Sequence, residues 1–246
     1  MIKREPLMTE EYFDNDIAFT KAAIEKRVQN LKTDPTQYKK IELVYSTLFT
    51  YEYEILISEY SRGYAIDRLK RNFEQIIYYL ELYFNHPDHE IFLFEKSLEN
   101  YELSLWLFSI GVLLKVEEKD IDRLLKCIGN QDKDLLFQQI ILKYKKRNEK
   151  KNETLIFPKI YSSLYESTLV DLLSAPIFIQ SFLKNWYKNM KPCYWFDNHK
   201  GKEGGGFFGY WCWEAALVTY LWNLDDTQYR EMSYYPKDIV DFAKGE

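Results

Sequence analysis

Apolar residues recur at helical spacing along most of this chain. Ile41, Val44 and Leu48, for example, fall on one face of a helix with 3.6 residues per turn. Similar patterns predict ten helices, at about residues 9–32, 35–61, 65–84, 88–114, 118–128, 132–147, 158–173, 176–188, 210–222 and 236–244. No segment shows a clear strand pattern. The sequence therefore predicts an all-α fold, a helical bundle of about ten helices in two packed subdomains.

Capping residues mark several of the predicted helix ends. Thr9 precedes two glutamates and is a good N-cap for the first helix. Asp34 followed by Pro35 is typical of a helix start, and predicts that the second helix begins there. Gly63 follows the last apolar position of that helix and predicts its end.

The charged stretch 145–153 is the most linker-like segment of the chain. We therefore predict an N-terminal helical domain over residues 1–150 and a C-terminal helical domain over residues 151–246. The very apolar stretch 103–114 predicts the central helix of the N-terminal domain, and it is too short to span a membrane.

Composition indicates a globular protein, since 46% of residues are hydrophobic and 29% are charged. A net charge of −5 gives the whole molecule no general affinity for nucleic acid or anionic lipid. We interpret the local basic run as a solvated helix end and linker rather than a nucleic-acid contact. This run consists of Lys143, Lys145, Lys146, Arg147, Lys150 and Lys151 around Glu149.

The three cysteines predict free thiols in a reducing compartment, because they are odd in number and form no CxxC pair. They are Cys127, Cys193 and Cys212. The first residues contain no apolar core of a signal peptide. We therefore expect a cytoplasmic protein.

The sequence gives little support for a metal site or for nucleophilic catalysis. His86 and His89 have a possible ligand spacing, but Pro87 lies between them and no matching Cys/His group occurs elsewhere. His199 has no evident partner, and the glycines at 204–206 lack the other residues of a phosphate-binding loop. We predict no catalytic residue, no metal and no cofactor.

One acid interrupts a very apolar segment near the C-terminus, GYWCWEAALVTYLWNLDDTQYREMSYYPKDIVDFAKG, which begins at Gly209. We expect Glu214 to be buried and hydrogen-bonded to a backbone amide or a tyrosine hydroxyl, because an unpaired buried carboxylate is costly. Catalysis by Glu214 with Asp225 or Asp226 as an acid–base pair is an alternative. The two aspartates are also good caps for the segment after them, and Pro236 predicts the start of a last helix.

This segment resembles the C-terminal domain of the PoNi immunity proteins, whose pattern is GYW-x-x-E-A-A, then DD, then YYPKD. The matching residues are Gly209, Tyr210, Trp211, Glu214, Ala215, Ala216, Asp225, Asp226, Tyr234, Tyr235, Pro236, Lys237 and Asp238. A second segment, with Tyr60, Ser61 and Gly63, is similar to the YS-x-G pattern of the family's N-terminal domain.

The resemblance implies a bacterial immunity protein that binds and neutralises a cognate PoNe toxin in the cytoplasm. Such toxins are DNases of the PD-(D/E)xK superfamily that are delivered between competing cells. The resemblance further implies that the protein is not an enzyme, and that it contacts neither nucleic acid nor membrane directly. The abundance of tyrosine, with 21 residues, is compatible with a binding protein.

An acidic protein would be steered toward the basic groove of a nuclease. We predict toxin contacts at Tyr210, Glu214, Asp225, Asp226 and Asp238. We expect the remaining motif residues to maintain the fold: Tyr60, Ser61, Gly63, Gly209, Trp211, Tyr234, Tyr235 and Pro236. An alternative contact face comprises Glu10, Glu11, Asp14 and Asp16. The rival functions are a helical scaffold or regulator for another protein, and an enzyme that uses Glu214.

Overall fold

A computed structural model describes residues 2–89, 97–148, 153–201 and 205–245. Within these ranges the chain forms ten α-helices and no strand, which confirms the all-α prediction. The helices are α1 (Glu10–Thr33), α2 (Ile41–Arg62), α3 (Ile66–Phe84), α4 (Leu98–Leu113), α5 (Glu118–Ile128), α6 (Leu135–Lys145), α7 (Pro158–Ser167), α8 (Ala175–Asn189), α9 (Trp213–Trp222) and α10 (Lys237–Lys244). None of the helices in the described ranges has the length and apolar character needed to cross a membrane.

Two predicted helix ends are confirmed at atomic detail. The Thr9 hydroxyl oxygen accepts a hydrogen bond from the Tyr12 backbone N–H at 3.1 Å, so Thr9 caps α1. Gly63 ends α2 with a left-handed φ of 98°, and its N–H donates to the Tyr60 carbonyl at 3.0 Å.

The second helix begins later than predicted. Asp34 does act as a cap, because its carboxylate accepts from the Thr36 N–H at 3.1 Å, but it starts only the 3-10 turn Pro35–Gln37. The side-chain amide of Gln37 donates to the Asp34 carbonyl and closes this turn on itself. Tyr38 is extended, and α2 starts at Ile41.

The seventh helix ends earlier than predicted, at Ser167 instead of Leu173. Hydroxyl groups explain the early end, because Ser167 and Thr168 donate to the carbonyls of Leu164 and Tyr165 at 2.6 and 2.7 Å. Such side-chain bonds compete with the backbone bonds that would extend a helix.

Three further helices, α4, α6 and α9, start at least three residues later than predicted, and α6 starts at Leu135 instead of residue 132. α4 starts at Leu98, where the Ser97 hydroxyl accepts from the Asn100 N–H; of its predicted earlier part, 88–97, residues 90–96 lie outside the described ranges. α9 starts at Trp213 rather than Tyr210, because the Cys212 N–H donates to the carbonyl of Tyr234 at 2.8 Å instead of joining a helix.

The chain divides into two compact units. The first comprises residues 1–91, 116–127 and 197–210. Its core lies between α1, α2 and α3, and its completely buried side chains include Phe13, Leu48, Leu69, Phe73 and Ile76. An Arg123 ion pair with Glu81 links α5 to α3.

The second unit comprises residues 92–115, 128–196 and 211–246. Its central helix is α4, which is apolar on nearly every side and is therefore buried among the helices of its unit, α9 and α10 included. Each unit includes residues from both sides of residue 150, and α4 lies in the second unit. The predicted boundary near residue 150 stays a prediction.

Candidate functional site

The Tyr60-Ser61-x-Gly63 motif holds the N-terminal segment in place within the first unit. The Ser61 carbonyl accepts from the N–H groups of Arg4 and Glu5 at 2.9 and 3.1 Å. The Arg4 guanidinium lies 4.6 Å from the centre of the Tyr60 ring and donates to the Tyr60 carbonyl. Tyr60 and Ser61 are buried, so the motif is structural in this unit.

Gly63 is required for two separate reasons. Its φ of 98° is unfavourable for residues with a side chain, and a Cβ atom there would lie 2.0 Å from the Ile2 carbonyl oxygen. We expect Gly63→Ala to lower the free energy of unfolding by about 1–3 kcal/mol. Urea unfolding followed by circular dichroism measures this loss.

A matched control for this substitution is Gly129→Ala. Gly129 also has a positive φ, 61°, but a Cβ there would meet nothing within 4 Å. A loss equal to that of Gly63→Ala would contradict the role of the Ile2 contact.

The side chains of Glu5, Tyr12 and Ser61 hold the backbone at the start of the C-terminal motif. The Tyr12 hydroxyl accepts from the Phe207 N–H at 3.0 Å and donates to the Phe207 carbonyl at 2.8 Å. The Ser61 hydroxyl donates to the Phe208 carbonyl at 2.7 Å, and the Glu5 carboxylate accepts from the Tyr210 N–H at 3.2 Å. Within the first unit, the N-terminal motif thus fixes the segment that contains Gly209 and Tyr210.

Tyr210 is a hydrogen-bond partner of His199, for which the sequence showed no evident partner. Its hydroxyl lies 2.8 Å from His199 Nδ1, and its ring meets that of Phe207 edge-on at 4.7 Å. Only 1% of Tyr210 is exposed. The side chain therefore packs inside the first unit.

Glu214 lies in the first turn of α9 and is completely buried in the second unit. The indole N–H of Trp186 donates to its carboxylate at 2.7 Å, a donor that the sequence did not predict, and the Glu214 backbone amide also stabilises the carboxylate, as predicted for a backbone amide. Burial raises the pKa of Glu214 to about 7, against the opposing effect of its hydrogen-bond donors. Glu214 therefore holds its proton up to about neutral pH.

A second buried acid, Glu102 on α4, escaped the sequence analysis. Its carboxylate accepts a long hydrogen bond, 3.4 Å, from the Trp195 indole. Burial and the nearby Glu214 raise its pKa well above the usual range. Like Glu214, it is a single acid beside a long apolar run, and that signal could have identified it.

Three tryptophans of the second unit stack beside these acids. The ring centres of Trp106, Trp186 and Trp195 lie 5.4–6.1 Å apart, with interplanar angles of 22–28°. All three are at most 2% exposed. The two carboxyl groups thus lie in an apolar interior, which explains their raised pKa values.

The two neighbouring aspartates have different environments. Asp225 is exposed and caps the following turn by accepting from the Thr227 N–H at 3.0 Å, as predicted. Asp226 is 6% exposed and accepts from the Tyr235 hydroxyl at 3.0 Å and from Arg230 at 3.1 Å. Asp226 therefore ties the DD turn to the YYPKD segment.

The YYPKD segment is held mainly by its two tyrosines. Tyr234 has a φ of 70°, its carbonyl accepts from the Cys212 N–H, and its ring stacks on Tyr187 at 5.1 Å. Pro236 is buried and immediately precedes α10, which starts at Lys237, one residue later than predicted. Asp238 lies in the first turn of α10 and is half-buried.

Two family models together cover nearly the whole chain. The model described as "PoNe immunity protein (PoNi), N-terminal" matches residues 4–126, and the model described as "PoNe immunity proteins (PoNi), C-terminal" matches residues 132–239. The chain belongs to the PoNi family of PoNe immunity proteins. The family resemblance of the two motifs is thereby confirmed.

The fold of this PoNi protein also occurs in a solved structure. The crystal structure of protein PA2201 from Pseudomonas aeruginosa matches with a TM-score of 0.72 over 100% of this chain and 93% of that one. The two sequences are 18% identical, so the match concerns the fold alone. No curated protein matches the chain.

The predicted contact residues of this PoNi protein differ in accessibility. Tyr210, Glu214 and Asp226 are buried, and their side chains offer no surface to a partner in this conformation. Asp225 is exposed and Asp238 is half-buried. On the alternative face Glu10, Glu11 and Asp14 are exposed, whereas Asp16 is half-buried and accepts from the Ser58 hydroxyl.

Metal and thiol chemistry gain no support from the part of the chain that the structure describes. In that part, no three His, Cys, Asp or Glu side chains are grouped as a metal site requires. Burial raises the pKa of the Cys193 and Cys212 thiols, which opposes formation of a reactive thiolate. His89 Nδ1 lies 2.6 Å from the His86 carbonyl within the turn between them.

Proposed function

We propose that this protein binds and neutralises a cognate PoNe-type DNase toxin in the cytoplasm, by complex formation and without a cofactor. The observation that carries the proposal is the ordered match of both PoNi domains over residues 4–239. On this proposal the protein is not an enzyme. Burial of Glu214, together with the capping role of Asp225, favours this view over acid–base catalysis.

Charge supports a nuclease as the partner. A nuclease groove that holds the phosphate backbone is basic, and a protein of net charge −5 is attracted to it. The expected association is fast at low salt and slower at physiological salt.

We propose that direct contacts involve exposed acids, with Asp225 and Asp238 as the candidates in the C-terminal motif. Glu214 and Asp226 would act indirectly, by maintaining the second unit, which carries those acids, whereas Tyr210 would maintain the first unit. This division follows from burial, because a side chain without accessible surface makes no contact unless the fold changes.

A nuclease assay with the purified pair tests the proposed function. A PoNe-type DNase toxin is co-expressed with the protein, purified as a complex, and compared with the free toxin for cleavage of plasmid DNA. We expect one stable complex and loss of cleavage at equimolar protein. Cleavage that continues at saturating protein would overturn the proposal, and an unrelated protein of similar net charge controls for nonspecific inhibition.

A further inference from the structure

The outward face of α1 combines an exposed aromatic ring with small neighbours. Phe19 is 77% exposed in the middle of this 24-residue helix. Asn15 and Ala22 lie four residues before it and three residues after it on the same side of the helix, and both are exposed, as is the adjacent Ala18. Small neighbours leave the phenyl ring protruding, so a partner can enclose it on several sides.

The first half of α1 is acidic, and Glu11 is its exposed acid nearest to the Phe19 side of the helix. From Glu5 to Thr20 the sequence has five acids and no lysine or arginine. Glu10, Glu11 and Asp14 are exposed, and Arg62 pairs with Glu10 and Asp14 at 2.9 Å. One guanidinium offsets only one of these three charges. Beyond Phe19 the exposed residues include Glu25 and Lys26, so the excess negative charge is confined to the first half of α1.

Contacts on the inner side of α1 hold this face rigid. Thr9 caps the helix, and the Tyr12 hydroxyl binds the backbone of Phe207. Farther along, Lys21 forms an ion pair with the buried Glu59 at 2.6 Å. A preorganised surface loses little entropy on binding, which favours its use as an interface.

We propose that the α1 face centred on Phe19 docks against a positively charged protein surface that has an apolar recess for the phenyl ring. The acids around Glu11 would steer the encounter, and the buried ring would slow dissociation. The excess of exposed acids in the first half of α1 favours a basic partner. The proposal rests on the function proposed above, which makes the toxin that partner.

Another exposed apolar patch provides the matched control. Leu169, Leu172, Leu173 and Ile177, in and after the turn between α7 and α8, are 55–88% exposed. Nothing in their surroundings identifies an occupant. Leu173 is 88% exposed, so Leu173→Ala removes an exposed apolar side chain of similar size from a different surface.

Binding kinetics with a catalytically inactivated form of the PoNe-type toxin that co-purifies with the protein test the proposal. We expect Phe19→Ala to weaken binding about tenfold to a hundredfold, mainly through faster dissociation. Glu11→Gln should slow association at low salt and have little effect at high salt. Leu173→Ala should bind within about twofold of wild type. Because these side chains are exposed, the variants should retain the wild-type circular dichroism and unfolding midpoint.

The possible failures are distinguishable. Wild-type affinity for Phe19→Ala would overturn the α1 interface while leaving the immunity function intact. A large loss in Leu173→Ala with none in Phe19→Ala would overturn it in favour of the α7–α8 patch. If the wild-type protein itself fails to bind the toxin, both the interface and the proposed function are wrong.

Discussion

Stability is expected to fall as pH rises from about 4.5 to about 7, because folding keeps Glu214 protonated. Its pKa is about 7 in the folded protein and 4.5 in an unperturbed glutamate. Between these values the unfolded state loses its proton while the folded state retains it, so rising pH favours unfolding. The difference between these two pKa values corresponds to about 3 kcal/mol of folding stability, which is present below pH 4.5 and fully lost above pH 7.

The titratable groups around Glu214 also make ionisation of its carboxyl group unfavourable. Glu102 on α4 is buried beside Glu214, and its pKa is also raised. The thiol of Cys212 and the hydroxyl of Tyr161 are buried near Glu214, and burial raises both of their pKa values. These groups cannot supply a positive charge to stabilise the carboxylate, so its ionisation stays unfavourable.

Urea unfolding at a series of pH values checks this prediction through tryptophan fluorescence. Glu214→Gln removes one titrating group and keeps an oxygen acceptor for Trp186, so its stability should depend less on pH than that of wild type, and Glu102 should account for the remaining dependence. The exposed Glu166→Gln on α7 serves as the control and should retain the wild-type slope. Equal slopes in wild type and Glu214→Gln would show that Glu214 is not the responsible group.

Asp226→Ala is expected to cost about 3 kcal/mol of stability, because it removes the acceptor of the buried Tyr235 hydroxyl and one of two ion pairs of Arg230. The Tyr235 hydroxyl loses its acceptor in the interior, and Arg230 keeps only its ion pair with Asp241. The YYPKD segment would detach from the DD turn, so this variant should also lose toxin binding at temperatures where wild type is folded.

The neighbouring Asp225→Ala is a matched control for this prediction. Asp225 is exposed and caps only the Thr227 N–H, so its removal should change stability far less. Denaturant midpoints of the two variants, measured side by side, give the comparison. Similar losses would contradict the structural distinction between the two aspartates. A binding loss in Asp225→Ala without a stability loss would support it as a direct contact.

Local sequence signals predicted caps and turns correctly where a residue and the backbone group that it satisfies lie only a few positions apart. Thr9, Gly63 and Asp225 satisfy backbone groups two or three residues away, and the sequence identified all three roles. Asp34 shows the limit of this reasoning. It caps a turn as predicted, but the short 3-10 turn is closed by Gln37, and the helix starts only at Ile41.

The sequence by itself determined the helical class and the PoNi family, because periodicity and two ordered motifs are local properties. Only the tertiary structure decided which motif residues are accessible. Asp225 and Asp226 are adjacent and chemically identical, yet one is exposed and the other accepts from Tyr235, nine residues away. Similarly, Ser61 contacts Phe208, which is 147 residues away in the chain. Such distant pairings depend on how the helices pack, and no local pattern encodes them.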